Sequence, residues 1–208
     1  MSLKLNKYLS ELRSNANRFE RTDINGKEDN SFLGRNFRRF FCLTISIVLV
    51  LSLNRGFSTI FISYASTVLA ILIGLFINAL IFSFDKFYEK PNSNGINSMQ
   101  KVWDTQSYNY SKQFAYITGY NIVLSIFTII SLSLCTLFET LMKVDIYSYH
   151  FDFKLVNLQS VGNFLFILFA LVQRVLIFYW ISSIMYKTLF VVSSMIKYMS
   201  VKIDRKDD

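Results

Sequence analysis

Long uncharged stretches separated by short polar ones dominate this chain. Fifteen uncharged residues, Phe40 to Asn54, lie between Arg39 and Arg55. Twenty-nine, Gly56 to Phe84, follow before Asp85, and twenty-six, Gln113 to Phe138, lie between Lys112 and Glu139. From Leu155 to Ile196 only Arg174 and Lys187 interrupt the apolar sequence. A bilayer core about 30 Å thick takes roughly 20 apolar residues in a helix, and a helix satisfies its own backbone groups in lipid. These runs predict an all-α integral membrane protein with four transmembrane helices, over about residues 38–54, 58–84, 114–138 and 161–186. The first run is short and spans only if Arg55 snorkels outward from its end. Three spans, with the first run lying in the interface, is the alternative.

The remaining segments are organised around these runs. Residues 1–36 form an amphipathic N-terminal segment, 37–203 the transmembrane domain with a helical extension, and 204–208 a polar tail. In the first segment Leu5, Tyr8, Leu9, Leu12, Ala16 and Phe19 recur at helical spacing, with Lys4, Lys7, Glu11, Arg13 and Arg18 elsewhere on the wheel. This predicts a helix with a basic polar face, resting on anionic lipid or docking a cytoplasmic partner or acidic ligand. The segment 22–31 reads as a flexible link into Arg35, Arg38 and Arg39, which complete the basic face at the start of the first run. Around Met99, Val102 and Trp103 the pattern predicts a short surface helix. Between the third and fourth runs, Tyr147, Tyr149, Phe151 and Phe153 alternate with polar residues. Period two predicts a short extended outer segment with one aromatic face. That face is set against the bilayer or bundle, or is an edge open to another chain.

Composition strengthens the membrane assignment and orients the chain. Of the 208 residues, 52% are hydrophobic and 17% charged, against about 25% charged in a soluble domain. Lys and Arg split eighteen to three between alternate connecting segments, which predicts both termini in the cytoplasm. No cleavable signal is expected, because the first apolar run begins behind a long polar segment. The formal charge of +8 favours an anionic partner: lipid head groups, an acidic ligand or nucleic acid. Trp103, Tyr108 and Tyr110 beside Lys101 and Lys112 offer stacking for bases, or an aromatic anchor at the headgroup level.

Polar groups inside the runs are the candidate functional residues. An arginine in mid-bilayer is costly and functional by default, which singles out Arg174, beside Gln173. The runs hold no carboxylate, so its expected partners are neutral: Asn78 in the second run and Asn121 in the third. A shifted register of the last run buries Lys187 instead. Ser66, Ala70 and Gly74 lead to Asn78 at four-residue spacing, a seam that lets helices approach closely and predicts a homo-oligomer. A polar stripe of Asn121, Ser125, Thr128, Ser131 and Cys135 in the third run is either a packing seam or, in an oligomer, the lining of a path. No phosphate loop, metal-spaced His/Cys set or nucleophile elbow is present in the sequence. Neither catalysis, metal binding nor a cofactor is expected.

The basic amphipathic start from Lys4 to Phe19, the hairpin at Asn54-Arg55-Gly56 and the lysine-rich tail together resemble the small four-span membrane proteins of bacterial anti-phage defence systems, such as the Kiwa membrane component. The resemblance covers the whole chain by layout. It implies an oligomer that senses or permeabilises the membrane and acts with a cytoplasmic partner. A bacteriocin immunity protein and a channel or transporter subunit are the other two readings open to such a chain.

Overall fold

The computed structural model describes residues 2–23, 25–29, 31–53, 56–87, 98–138, 145 and 158–204. Five helices account for most of them: α1 (Ser2–Phe19), α2 (Phe32–Leu51), α3 (Thr59–Phe87), α4 (Ser98–Leu137) and α5 (Leu158–Asp204). The described residues are helical throughout apart from turns and one isolated antiparallel bridge, Thr22 to Glu28. The aromatic alternation at Tyr147, Tyr149, Phe151 and Phe153 lies outside the described residues.

Three helices, α3, α4 and α5, are long and apolar enough to cross a membrane. The second helix, α2, is not among them. Arg35, Arg38 and Arg39 fall in its first turns, and the apolar remainder from Phe40 to Leu51 rises only about 18 Å. The 40 residues of α4 and 47 of α5 are about 60 and 70 Å long, roughly twice the apolar core of a bilayer. Met99, Val102 and Trp103 therefore belong to α4 itself, not to a separate surface helix. No Gly or Pro stands between Ser98 and Thr118 to break it.

Local chemistry sets the helix ends. At the start of α3 the Ser58 hydroxyl accepts from the Phe61 backbone N–H at 3.1 Å, an N-cap that satisfies a donor the helix leaves open. Gly56, just before it, turns the chain with φ +79°. After α1, the segment read as a flexible link is a tight turn. The Asp23 N–H donates to the Lys27 carbonyl and the Gly26 N–H to the Asp23 carbonyl, each at 2.8 Å. Gly26 has φ +80°, and a Cβ there would lie 3.3 Å from the Asn109 amide, so both backbone and neighbour favour glycine. Arg18 and Glu28 pair across this turn. Further on, the Ser31 N–H donates to the Asp29 carboxylate at 2.9 Å, and this bonding holds the Asp29 carboxyl below its ordinary range.

The chain divides into two compact units. In the first, residues 1–37, 72–124 and 184–208, the core is Phe114, Ile117 and Val191, with Phe19, Ala79, Leu80 and Phe190 packed on it. Phe19 stacks on Tyr116 with ring centroids 5.2 Å apart, and Gln113 donates to the Thr22 carbonyl. The apolar stripe of α1 is thus spent, in its C-terminal half, on this chain's own α4. In the second unit, residues 38–71 and 125–183, Phe57 meets Phe61 and Phe178 at 5.3 and 5.2 Å, joining the start of α3 to α5.

Burial along α4 and α5 follows a seven-residue repeat. On α4, Thr118, Ser125 and Leu132 are buried, as are Asn121, Thr128 and Cys135; on α5, so are Ala170, Ile177, Ile184 and Val191. Such repeats are the signature of helices packed side by side. The seam of α4 is mostly polar, while Ile126, Phe127, Ile130 and Leu134 on its other faces are exposed. That inversion is what lipid demands, since it offers apolar residues no reason to be inside.

Candidate functional site

Helix α5 carries two cationic side chains with almost no exposure: Arg174 at 2% and Lys187 at 0%. The sequence offers a choice between two registers, one burying each residue. The structure buries both. One belongs to each unit, and Lys187 meets an acidic group from outside the apolar runs.

Lys187 belongs to the first unit. Its ammonium lies 3.5 Å from a carboxylate oxygen of Glu20, whose side chain is itself only 9% exposed. The same ammonium sits 4.2 Å from the centroid of the Tyr120 ring, where the negative π face adds to the attraction. Glu20 stands one residue past the end of α1, held by the bond from its N–H to the Ala16 carbonyl at 3.1 Å. The pair is therefore a clamp between the N-terminal helix and α5, with Phe19 on Tyr116 and Thr22 on Gln113 beside it. A buried ion pair of this kind contributes little net stability, but losing one partner strands the other charge. Sequence reasoning missed Glu20 because the residue belongs to a polar segment and is distant along the chain from Lys187. The available signal was its place one turn after Ala16 and beside Phe19, at the end of the α1 stripe.

Arg174 belongs to the second unit. Gln173 donates to the Cys135 sulfur at 3.6 Å, and Cys135 and Asp145 both act electrostatically on the guanidinium. Asp145 follows α4 and is half-buried. Asn78 and Asn121, the two residues proposed to meet it, fall in the other unit. Asn78 is exposed on α3, whereas Asn121 is fully buried on α4. Neither the carbonyl nor the amide nitrogen of Asn121 has a hydrogen-bond partner among the described residues, and the Thr118 hydroxyl is in the same position.

The remaining candidates are placed as follows. Ser66 is half-buried, while Ala70 and Gly74 are exposed. A Cβ built on Gly74 would meet nothing within 4 Å. The small-residue seam of α3 faces outward, and no described helix of this chain lies on it. Beside it Ile60, Tyr64, Val68 and Ile71 are all more than half exposed. On the basic face Lys4, Lys7, Arg13, Arg18 and Arg39 are exposed and Arg38 is half-buried; Arg35 is helical, and its side chain is outside the described set. Lys112 lies 4.4 Å from the centroid of the exposed Tyr108 ring. Cys42 and Cys135 are both buried, and the Cys42 carbonyl accepts the Ser46 hydroxyl at 2.6 Å. Among the described residues no group of His, Cys, Asp and Glu could hold a metal ion.

No family model, curated protein or solved structure matches the chain.

Proposed function

We propose that this chain is a non-enzymatic, self-associating membrane protein, the membrane sensor or pore-forming effector of a bacterial anti-phage defence system, working with a cytoplasmic partner. The observation that carries the reading is the clamp of Glu20 on Lys187 beside the Tyr120 ring. It joins a basic, exposed N-terminal helix to a helix that enters the membrane, so an event at α1 is felt by a buried charge on α5. Coupling between a surface and a membrane segment requires two discrete arrangements, and release of this clamp would supply the second. Expression of the chain with its neighbouring genes under phage challenge tests the reading. Protection that is lost in Glu20→Gln and retained in an exposed control such as Lys101→Gln supports it. Unchanged protection in Glu20→Gln removes its basis.

The topology that accompanies this reading is four spans in the inner membrane, with both termini in the cytoplasm. It is supported by the eighteen-to-three distribution of Lys and Arg. In this arrangement α2 crosses only if the bilayer thins around its short apolar end. Reporter fusions after residues 30, 95 and 205 are expected on the cytoplasmic side and a fusion at 148 outside. If fusions at 30 and 95 fall on opposite sides, α2 lies in the interface and three spans remain.

Self-association is proposed through the outward seam of α3. Because a side chain at Gly74 would meet nothing within its own chain, Gly74→Leu leaves the monomer intact and blocks close approach of a second copy. The expected result is normal membrane insertion with loss of the cross-linked oligomer. A native chain that stays monomeric in membranes overturns this part of the reading.

A channel or transporter subunit is the second reading. It is favoured by the buried polar seam of α4, in which Thr118, Asn121, Ser125 and Thr128 are fully buried. Reconstitution into vesicles separates the two: ion flux without any defence partner supports the second.

A further inference from the structure

We propose that the exposed N-terminal half of α1 docks on an anionic lipid surface while its C-terminal half remains packed on α4. This rests on the membrane reading above but not on the defence role.

The stripe Leu5, Tyr8, Leu12, Ala16 and Phe19 is one continuous helical face, and only part of it is covered. Ala16 has no exposure, Phe19 stacks on Tyr116, and a Cβ at Gly119 would touch the Leu12 side chain at 3.5 Å. Farther along the same face Leu5 is 59% and Tyr8 64% exposed. The stripe outruns the surface that α4 offers it. An established interface therefore continues into an unpartnered one.

Charge and position select the occupant. At about 100° per residue, Lys4 lies one step around the helix from Leu5 and Lys7 one step from Tyr8. Both lysines are exposed, and although Glu11 shares their face one turn on from Lys7, the patch keeps a net positive charge. The docked half meets α4 at Gly119 and Tyr116, close to where its uncharged run begins at Gln113. From Phe19 at Tyr116 to Leu12 at Gly119 the two helices run in opposite directions, so the exposed half lies beyond Gly119, along the apolar run of α4. Two shallow apolar groups flanked by lysines suit a headgroup layer, where the rings and methyls sink and the ammonium groups meet phosphate. An acidic protein groove would need a longer apolar face than Leu5 and Tyr8 provide. The contact is small, but α1 is already tethered, so it is intramolecular with respect to the membrane.

A rigid helix links the two halves. Lipid that holds Leu5 and Tyr8 also holds Glu20 against Lys187, and loss of surface charge loosens the clamp by the same factor. Bilayer charge thereby becomes an input to α5.

The test uses the full chain in nanodiscs of phosphatidylcholine alone or with roughly one third phosphatidylglycerol, read by amide hydrogen exchange. Protection of residues 6–10 is expected to rise about tenfold or more in the anionic discs, each lysine supplying about fivefold. High salt should erase the rise. Lys4→Gln/Lys7→Gln should abolish the difference between the two lipids, and Leu5→Ser/Tyr8→Ser should lower protection in both. Exchange in residues 114–124 stays unchanged in all variants and reports that the bundle is folded. Equal protection in the two lipids overturns the proposal, as does protection that appears only when polyglutamate is added. A native chain that responds to anionic lipid but gives no phage protection with its neighbouring genes would sink the defence reading alone.

Discussion

Glu20→Gln is expected to release α1 from the bundle. The substitution keeps the size of the side chain and removes the charge that faces the fully buried Lys187 at 3.5 Å. Removing one partner of a buried pair costs about 3–5 kcal/mol, because the other charge is left in a poor solvent. The aromatic face of Tyr120 remains and offsets about 1 kcal/mol or more of that loss. The net is still equivalent to at least tenfold, and up to about a thousandfold, in the docking equilibrium. Amide exchange over residues 12–19 should accelerate accordingly, with no change in membrane insertion. Lys187→Met should also loosen docking, since it leaves the Glu20 carboxylate, whose side chain is 9% exposed, without its cation. The double substitution should be close to native in docking, and the coupling energy from the cycle measures the pair itself. Additive single and double effects would mean that Glu20 and Lys187 do not act on one another.

Arg174→Leu is the second substitution with a large expected effect, and its sign differs between two readouts. A cationic side chain deep in a spanning helix costs about 3 kcal/mol on insertion scales, so the leucine variant should insert at least as well as the native chain. Activity, read as phage protection or ion flux, should fall in Arg174→Leu despite normal abundance. Arg174→Lys separates two origins of that loss. Poor rescue points to planar, multi-donor contacts toward Cys135 and Asp145, which a compact ammonium does not reproduce. Full rescue points to positive potential alone. Native activity of Arg174→Leu at native abundance would show that the arginine has no functional role.

Hydropathy and helical spacing alone identified the class of this protein and most of its helical segments. The apolar runs after Gly56, Gln113 and Leu155 correspond to α3, the second half of α4 and α5. The polar stripe on α4 was legible too, since a repeat of Asn121, Thr128 and Cys135 on an otherwise apolar helix has nowhere to go but inward. These properties are local: each depends on residues within a few turns of one another, and burial in lipid or bundle is averaged over a whole face. The short apolar end of α2 and the turn at Gly26 were harder. In the first, three arginines weigh against a run that reads as nearly sufficient. In the second, a handful of backbone bonds order a segment whose composition looks like a link.

Which charge meets which was decided only by the tertiary structure. Nothing in the neighbourhood of Lys187 points to Glu20; the acid lies outside the apolar runs and is brought in by the fold. Local patterns state that a buried cation must be compensated. They do not name the group that compensates it, because that pairing depends on how distant segments return to one helix. The docking of α1 on α4 is of the same kind. An amphipathic stripe declares that it needs an apolar surface, and whether that surface is lipid or protein depends on what the rest of the chain places beside it. Here the chain supplies cover for Leu12, Ala16 and Phe19 and leaves Leu5 and Tyr8 exposed.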